Sequence, residues 1–551
     1  MKYRSYHAPL YEALLHYQES GNRSFHVPGH KNGQVYRGLS NKENTKQPGC
    51  SDVIPTRAFL DMMQMDVTEI SGTDDLHHPE GVILEAQQLA ADCFGAEESF
   101  FLVGGSTAGN LAMLLTVCDE PQSIVLVQRN VHKSVIHGLM LAGARAVFLE
   151  PYVDPSSGLA VMPSAETVKA AVQAYPEAKG VLVTLPNYYG MGADLTPIAD
   201  ICHAAGMPLL VDEAHGAHYG QHPELPASAL SCGADGVVQS THKMLSAFTM
   251  GAMLHIQGPL LNRSLLRQRL AMVQSSSPSY PVMASLDLAR RLLHVQGADT
   301  FTAGLAAVDA FKRGLAELPR FQLLQPVQAL QQEPPAEAEP AAGGNRAADA
   351  SGRPTARAAA AMPPAAGYTA QDPFKAVIYD GAGVLSGYGL QQQLEAHGCV
   401  PEMSDERYVV LLFSLGSTLS DAEHLLQALE HISHAHENEL GQRQDEPLKR
   451  ANYISTWNNL QDTLWRTFSE PILFSLQPIS EQDTAEVAIE DCEGYRSAEM
   501  IIPYPPGIPL LYAGEQISSA TVQRIQLLSD EGAKFHGAAD DTLRTLKIMK
   551  E

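Results

Sequence analysis

The stretch "LLVDEAHGAH", residues 209–218, decides how the central part of this chain folds. In it an apolar run ends at Asp212, and a loop rich in Gly and His begins. An unbroken apolar run bounded by a turn is typical of a strand that is buried within a parallel sheet. The ligands of such α/β sheets bind at the carboxyl ends of the strands. We therefore expect Asp212 to lie in a functional cleft.

The four letters from Asp212 to His215 also spell the box of an ATP-driven helicase family, which raises a first alternative. Such a motor needs a phosphate-binding loop with Gly-Lys followed by Ser or Thr, and the chain contains no such tripeptide. The 37 basic and 62 acidic side chains give a formal net charge of −25, which repels nucleic acid. Both observations argue against a helicase and against a nucleic-acid partner.

Groups of histidines raise a second alternative, a metal site. The loop after the strand carries four residues of suitable ligand types, which are Asp212, His215, His218 and His222. A downstream helical stretch carries four more histidines, which are His424, His431, His434 and His436. Histidines scattered over a Gly- and Pro-rich loop or along a polar helix face are typical of solvated surface. We therefore predict no metal site.

The composition indicates a globular protein of about two or three domains, because the chain has 551 residues and is 45% hydrophobic. No apolar run is long enough to span a membrane, and the N-terminus lacks the charged head and apolar core of a secretion signal. The seven cysteines are scattered without a C-x-x-C pair. We expect a cytoplasmic protein with reduced thiols and no membrane partner.

Strand-like and helical runs alternate between about residues 80 and 256, which predicts an α/β domain with a largely parallel sheet. One of its strands leads into "GGSTAGN", residues 104–110, where Ser106 and Thr107 begin a helix. The free N–H groups at a helix N-terminus bind anions such as a phosphate. An ordinary helix cap explains the same two residues equally well, so this feature needs support from its neighbours.

That support comes from "QSTHK", residues 239–243, where Lys243 follows another strand. A lysine in a dry cleft has a lowered pKa and becomes a nucleophile for carbonyl groups. Pyridoxal phosphate explains all three strand ends at once: Lys243 would bond to its aldehyde, and Asp212 would keep its ring nitrogen protonated. Hydroxyl-bearing side chains would hold the phosphate, with His242 as a further donor; these hydroxyl residues are Ser106, Thr107 and Ser240.

These motifs resemble the Orn/Lys/Arg decarboxylases of the aspartate-aminotransferase fold, in their short form. The matching blocks are "FHVPGHKNG" at 25–33, "EISGTDDLHHPEG" at 69–81, "FGAEESFFLVGGSTAGN" at 94–110, "NVHKSVIHGLMLAG" at 130–143, "PNYYG" at 186–190, "VDEAHGAH" at 211–218, "QSTHKML" at 239–245 and "YPPGIPLLYAGEQIS" at 504–518. The resemblance implies that His132 stacks over the cofactor ring, that Ala214 packs beneath it, and that His215 lies close by. It makes His132, Asp212 and Lys243 the catalytic residues.

The resemblance also implies an organisation of the chain. Residues 1–68 would form an N-terminal arm and 69–320 a PLP-binding large domain of fold type I with a mostly parallel sheet. Residues 321–370 would form a flexible linker and 371–551 a smaller α+β C-terminal domain. Within the linker, 333–366 contains no Val, Ile, Leu or Phe and cannot bury enough apolar surface to order itself. The family's sites lie at a dimer interface, which implies a homodimer or a higher homo-oligomer.

The implied activity is decarboxylation of a basic amino acid, with arginine expected first and lysine or ornithine next. The cation of such a substrate needs carboxylates, and the candidates are Asp74, Asp75, Glu80 and Glu402. One departure from many relatives is Met250, where they carry Gln. Two rival functions stay open: a PLP-dependent aminotransferase or lyase, which would use the same cofactor residues, and a PLP-binding protein without turnover.

Overall fold

The computed structural model describes residues 4–36, 56–326, 368–436, 467–504, 509–530 and 533–550. Over these residues the protein is an α/β structure built on an eight-stranded, mostly parallel sheet. The fold class predicted from the alternation of helical and strand-like runs is therefore confirmed. The Pro/Ala-rich insertion at 333–366 lies outside the described residues.

Strands and helices are numbered separately in chain order. The central sheet contains β1 (Glu98–Leu102), β2 (Ile124–Gln128), β3 (Arg145–Leu149), β4 (Val181–Thr184), β6 (Leu209–Asp212), β7 (Gly236–Gln239), β8 (Ala252–Ile256) and β14 (Ile472–Leu473). Their spatial order is β1-β8-β7-β6-β4-β2-β3-β14, and the five strands from β7 to β3 run parallel. Their apolar runs follow from burial on both faces, which leaves no room for an alternating pattern.

Helices precede and cover this sheet. Two helices precede it, α1 (Pro9–Glu19) and α2 (Arg57–Met65). The large domain contains α3 (Val82–Phe94), α4 (Gly105–Val117), α5 (Lys133–Ala142), α6 (Ala165–Ala174), α7 (Thr196–Ala204), α8 (Thr241–Met244), α9 (Arg263–Val273), α10 (Tyr280–Gln296) and α11 (Thr302–Ala316). Glycines end two of them: Gly95 after α3 and Gly143 after α5 both adopt the left-handed conformation.

The register of the parallel strands places their carboxyl ends side by side. Asp212 at the end of β6 lies opposite Thr184 of β4 on one side and Val238 of β7 on the other. The helix α8 follows β7 after one residue, so that Lys243 comes to the same edge as Asp212. The helix α4 reaches this edge from β1, because the turn at Gly104 and Gly105 reverses the chain after Leu102. This edge is the one at which the sequence predicted the site.

A second, smaller sheet of four antiparallel strands lies after the large domain. It contains β9 (Phe321–Leu323), β11 (Lys375–Asp380), β12 (Met403–Ser404) and β13 (Val409–Leu412), and helices α12 (Gly387–Ala396) and α13 (Leu419–Ala435) accompany it. Strand β10 (Ala370–Gln371) pairs instead with β5 (Met191–Gly192) of the large domain. The predicted linker 321–370 thus carries a strand at each of its described ends, while 327–367 lies outside the described residues.

The C-terminal part adds one strand to the large sheet and forms two small sheets of its own. Its elements are β14 at the sheet edge, β15 (Thr484–Ala488), β16 (Ile502–Tyr504), α14 (Ser519–Asp530), β17 (Lys534–His536) and β18 (Thr545–Met549). Tyr512 ties this part to the large domain, because its ring stacks on Phe148 at 4.3 Å and its hydroxyl donates to the Arg129 carbonyl at 2.5 Å. Within the described ranges, no helix combines the length and the apolar character needed to cross a bilayer.

Candidate active site

Asp212 is buried at the carboxyl edge of the sheet and is held in a fixed orientation. Its carboxylate accepts hydrogen bonds from the Asn110 side-chain amide at 2.8 Å and from the Ala214 backbone N–H at 3.2 Å. No Lys, Arg or His nitrogen of the described residues lies within ion-pair distance of it. A buried carboxylate without a cation is costly. Asp212 is therefore suited to pair with a positively charged ring nitrogen.

Lys243 lies on α8, partly buried, with its Nζ 3.0 Å from Nε2 of His215 and 5.9 Å from the centre of the Tyr188 ring. Burial lowers the pKa of its ammonium below the ordinary value, and the charges of Asp212 and Glu402 oppose that shift. A lowered pKa means that a larger share of Lys243 is a neutral amine near pH 7. Such an amine is the nucleophile that a carbonyl group requires.

His132 caps the N-terminus of α5, where its Nδ1 accepts from the Ser134 backbone N–H at 3.2 Å. The Ser134 hydroxyl also lies 2.8 Å from Nδ1 and accepts from the same Asn110 amide that holds Asp212. Burial lowers the pKa of His132 and Lys243 lowers it further, while Asp212 raises it. The ring is therefore neutral, with its proton on Nε2, and its orientation is coupled to Asp212 through two side chains.

Two hydroxyl groups mark the anion end of the cleft. Ser106 on α4 and Ser240 after β7 are both buried, and their Oγ atoms lie 2.7 Å apart, whereas Thr107 is exposed. Gly105, with φ of 70°, turns the start of α4 toward this pair and donates its N–H to the Met250 carbonyl at 3.0 Å. Hydroxyl and N–H groups at a helix start suit a phosphate.

His242 and Met250 border the same end of the cleft. Nδ1 of His242 lies 3.0 Å from the Gly251 carbonyl, so a neutral ring carries its proton there and has none on Nε2 to donate to a phosphate. Burial lowers the pKa of His242, and the hydrogen bond to Gly251 partly restores it. Met250, the residue that replaces the expected Gln, contributes its backbone carbonyl, and its side chain is half exposed.

The cleft fits pyridoxal phosphate on the chemistry of its donors. It offers a lysine amine for the aldehyde, a buried uncompensated carboxylate for the ring nitrogen and a hydroxyl pair for the phosphate. Ala214 and His132 are both partly exposed beside Asp212, as two side chains that flank a ring would be. All residues of the predicted set except the exposed Thr107 present a buried or partly buried group at this edge.

Sequence reasoning missed four residues that shape this cleft: Asn110, Ser134, Tyr188 and Lys375. Asn110 carried a usable signal, because it lies four positions after Ser106 on one helix and so faces the same side. Lys375 carried none, since it lies in β11 of the small sheet and reaches the cleft only through the fold.

Three of the four candidate carboxylates for the substrate cation have other partners. Asp74 accepts hydrogen bonds from the backbone N–H groups of Glu80, Gly81 and Ile83, and so caps the start of α3. Asp75 accepts from the His77 N–H, and Glu80 pairs with His78 at the surface. Glu402 is exposed, and its charge acts on Lys243, on His242 and on Lys375. It is the candidate whose charge acts on the lysines of the cleft.

Several of the histidines considered as metal ligands contact side-chain or backbone groups of the protein. His215 lies between two lysine amines, and Nε2 of His218 lies 3.1 Å from the Asp372 carboxylate in the interior. His424 contacts the His397 carbonyl and His436 the Ile432 carbonyl. Within the described ranges, no three His, Cys, Asp or Glu side chains converge as a metal site would require.

Comparison with known proteins identifies the relatives of this chain. The family model for the Orn/Lys/Arg decarboxylase major domain matches residues 8–421, and the model for the C-terminal domain of the same family matches residues 469–543. The uncharacterized protein YaaO of Bacillus subtilis is 37% identical over 94% of each chain. An arginine decarboxylase of Halalkalibacterium halodurans is 30% identical over 100% of this chain and 99% of that protein.

A similar fold is found in the crystal structure of the lysine decarboxylase LdcF of Francisella novicida. It superposes with a TM-score of 0.73 at 21% sequence identity, and the match covers 98% of this chain and 81% of that one. At this identity the similarity concerns the fold. It agrees with the central sheet and the C-terminal domain described above.

Proposed function

This chain belongs to the Orn/Lys/Arg decarboxylase family and is a pyridoxal-phosphate-dependent amino acid decarboxylase, and on that premise we propose that it converts arginine to the corresponding amine and CO₂. The family resemblance noted in the sequence and the activity and cofactor that it implied are thereby confirmed. The structural observation that carries the assignment of the site is the convergence of Asp212, Lys243 and the Ser106–Ser240 hydroxyl pair at one sheet edge.

Each side chain has a role that its contacts support. Bound pyridoxal phosphate supplies an electron sink for the pair left when the Cα–carboxylate bond breaks. Lys243 binds the cofactor through its amine. Asp212, oriented by Asn110 and the Ala214 N–H, holds a proton at the ring nitrogen. The hydroxyls of Ser106 and Ser240 hold the phosphate, with the exposed Thr107 at the same helix start.

Three further residues orient the reacting groups. His132, whose Nδ1 accepts from the Ser134 N–H, would cover one face of a bound cofactor ring and exclude water from it. Ala214 would lie under the opposite face, where its small side chain would permit close approach. His242 lies at the phosphate end and can donate to it only as an imidazolium, because the Gly251 carbonyl occupies its Nδ1 proton.

Arginine is proposed as the substrate on two grounds. The relative from Halalkalibacterium halodurans that matches over 100% of this chain bears the name arginine decarboxylase. Glu402, exposed at the small-domain side of the cleft, supplies a carboxylate for the distal cation. A guanidinium forms two parallel hydrogen bonds with a carboxylate, which an ammonium cannot do. Lysine and ornithine follow as weaker substrates.

Exposed apolar side chains in the N-terminal arm bear on the oligomeric state. Phe25 and Val27, in one of the motif blocks, expose 92% and 63% of their surface in the single chain. Large apolar side chains so exposed are typical of a protein–protein interface. We propose a homodimer at least, in the cytoplasm, with the arm 1–68, the large domain 69–320 and the C-terminal part 371–551 as its units. Light scattering tests the dimer, and a fully active monomer would contradict it.

One assay tests the activity and separates it from its rivals. Release of CO₂ is measured from carboxyl-labelled arginine, lysine and ornithine, and the amine product is identified. Arginine should give the highest kcat/KM. Formation of a keto acid would support an aminotransferase instead. Bound cofactor without turnover of any of the three would support a cofactor-binding protein.

A second experiment tests the identity of the cofactor lysine. Borohydride reduction of the loaded enzyme fixes the cofactor to its lysine, and peptide mapping then locates it. The label should lie on Lys243. A label on Lys375, the other lysine of the cleft, would overturn the assignment while leaving the activity intact.

A further inference from the structure

His215 bridges two lysines that belong to different parts of the fold. Its Nε2 lies 3.0 Å from Nζ of Lys243, and its Nδ1 lies 3.0 Å from Nζ of Lys375. Lys243 follows β7 of the large sheet, whereas Lys375 begins β11 of the small sheet. The Tyr188 ring packs against His215 at 4.9 Å between centroids. Both nitrogens of one buried imidazole are thus engaged by amines.

The protons of this triad can be counted. A neutral imidazole has one N–H and one lone pair, so it accepts from one amine and must donate to the other. An amine that accepts a hydrogen bond has a free lone pair and is not an ammonium. Burial holds the pKa of His215 well below its ordinary value, and Lys375 and Lys243 lower it further, so the ring stays neutral. The geometry therefore allows only one of the two lysines to be charged.

Lys375 is built to hold that single charge part of the time. It is fully buried, and its Nζ donates to the Tyr188 carbonyl at 3.2 Å. Burial lowers the pKa of Lys375 to about 8, while the charges of Asp372 and Glu402 raise it and Lys243 lowers it. A lysine with a pKa of about 8 exchanges its proton near physiological pH. Because its side chain is buried, Lys375 cannot bind an anion at the protein surface.

We propose that Lys375 is a positioning residue and a proton store for Lys243: through His215 it takes up the proton that the Lys243 ammonium must lose before its amine can act as a nucleophile. In this step the Nζ–H bond of Lys243 breaks and that proton binds Nε2 of His215. The proton on Nδ1 passes at the same time to Nζ of Lys375. The number of protons is conserved, and the positive charge moves from one lysine to the other.

Charged and titratable groups surround both lysines and set the position of the shared proton. Those that face Lys243 are the carboxylates of Asp212 and Glu402 and the neutral rings of His132, His215 and His242. Those that face Lys375 are Asp372, Glu402, Lys243 and His215. Asp212 and Glu402 favour charge on Lys243, whereas Asp372 and Glu402 favour charge on Lys375. Both amines therefore have carboxylates that can stabilise the shared proton.

This inference rests on the proposed role of Lys243, and its test uses the full chain freed of cofactor. Competitive acetylation by acetic anhydride over a pH series, followed by peptide mass spectrometry, gives the pH midpoint at which Lys243 becomes reactive. In Lys375→Met the store is lost, so the midpoint should rise by about one unit. In Lys375→Arg a permanent cation faces His215, so the midpoint should stay at the wild-type value or fall.

Two further variants separate the relay from packing and from simple charge repulsion. Lys312→Met removes another partly buried lysine that feels Asp372 and should leave the Lys243 midpoint unchanged. In a His215→Leu background, Lys375→Met should shift the midpoint much less, because the bridge is gone. Circular dichroism and melting curves verify that each variant is folded.

The outcomes are distinct. An unchanged midpoint in folded Lys375→Met overturns the proposal, as does a full-sized shift that persists without His215. If Lys375→Met does not fold, a raised midpoint in Lys375→Arg overturns it as well. A borohydride label on another lysine would refute the cofactor assignment but leave these pH midpoints meaningful, so the two failures are distinguishable.

Discussion

Asp212 and Glu213 are neighbours in sequence, and both are buried carboxyl groups, yet they belong to two different regions of the molecule. Asp212 opens onto the cleft, where Asn110 and the Ala214 N–H hold it. Glu213 points into the interior behind the sheet edge, where its oxygens accept from the Ala229 N–H at 2.7 Å and the Gln239 amide at 2.6 Å.

The interior carboxyl is part of a network without access to the cleft. Gln239 lies 3.2 Å from Nε2 of His255, and Nδ1 of His255 lies 2.7 Å from the Ser99 hydroxyl. Burial raises the pKa of Glu213 to about 8, against the hydrogen bonds from Gln239 and Ala229 that lower it. Glu213 is therefore mostly protonated near pH 7 and carries no charge that could act on a ligand.

The difference teaches how one motif serves two purposes. Successive side chains of a strand point to opposite faces. The side chains of Asp212, the last residue of β6, and of Glu213 therefore point in opposite directions. A cleft variant should therefore change activity at constant stability, and an interior variant should change stability at constant chemistry.

The largest effect is expected for Lys243→Ala in the cleft. Without the amine the cofactor has no covalent attachment, and kcat should fall by about 10⁴-fold or more. CO₂ release measures it, and borohydride should fix no cofactor to the variant. Lys312→Ala, on α11, is the matched control and should keep normal turnover. Residual activity near the wild-type level would refute the role of Lys243.

Asp212→Asn should come next. The amide has one oxygen, which can accept from Asn110 or from the Ala214 N–H but not from both, and it cannot hold a proton at the ring nitrogen. Losing such a fixed charge costs about 2.7–4 kcal/mol of transition-state stabilisation, or about 10²–10³-fold in kcat. A folded, cofactor-loaded variant with near-normal kcat would contradict the assignment and erase the contrast with Glu213.

Glu402→Gln should give a smaller effect on substrate binding. Removing this exposed carboxylate should raise KM for arginine by about two- to fivefold, with little change in kcat. Glu80→Gln is the control, because Glu80 pairs with His78 at the surface. Equal KM values for both variants would mean that another group binds the guanidinium.

Glu213→Gln should alter the pH dependence of stability and little else. Because the folded-state pKa of Glu213 is raised to about 8, its contribution is present at low pH. It is lost as the pH rises from the ordinary carboxyl range to about 8. Glutamine cannot ionise, so melting temperatures of the variant should fall less across that window. A larger loss of kcat in Glu213→Gln than in Asp212→Asn would show that Glu213, and not only Asp212, acts on the reaction.

The smallest effect is expected from deletion of residues 333–366. This segment has no Val, Ile, Leu or Phe to anchor it in a core, so turnover and melting temperature should stay unchanged. Activity and a melting curve measured on the shortened chain decide the matter. Loss of folding would show that the segment packs against the rest of the protein.

Much of the fold and part of the site followed from local patterns. The alternation of apolar runs with amphipathic helices was enough for the α/β class, because burial of a parallel sheet leaves its mark on every strand. The strand-end rule was enough to select Asp212, Ser106 and Lys243, since parallel strands bring their carboxyl ends to one edge. Each of these features is encoded within a short stretch of sequence.

By itself, the sequence determined the fold class and the family, and it supplied the candidate residues for holding the cofactor. Only the tertiary structure decided which further groups share the cleft. The pairing of β11 and β13 within the small sheet, and of β10 with β5, carries Lys375 and Glu402 toward Lys243 across a gap of more than a hundred residues. The contact of Lys375 with His215 depends on packing between two sheets, and no local period or propensity records such a long-range contact.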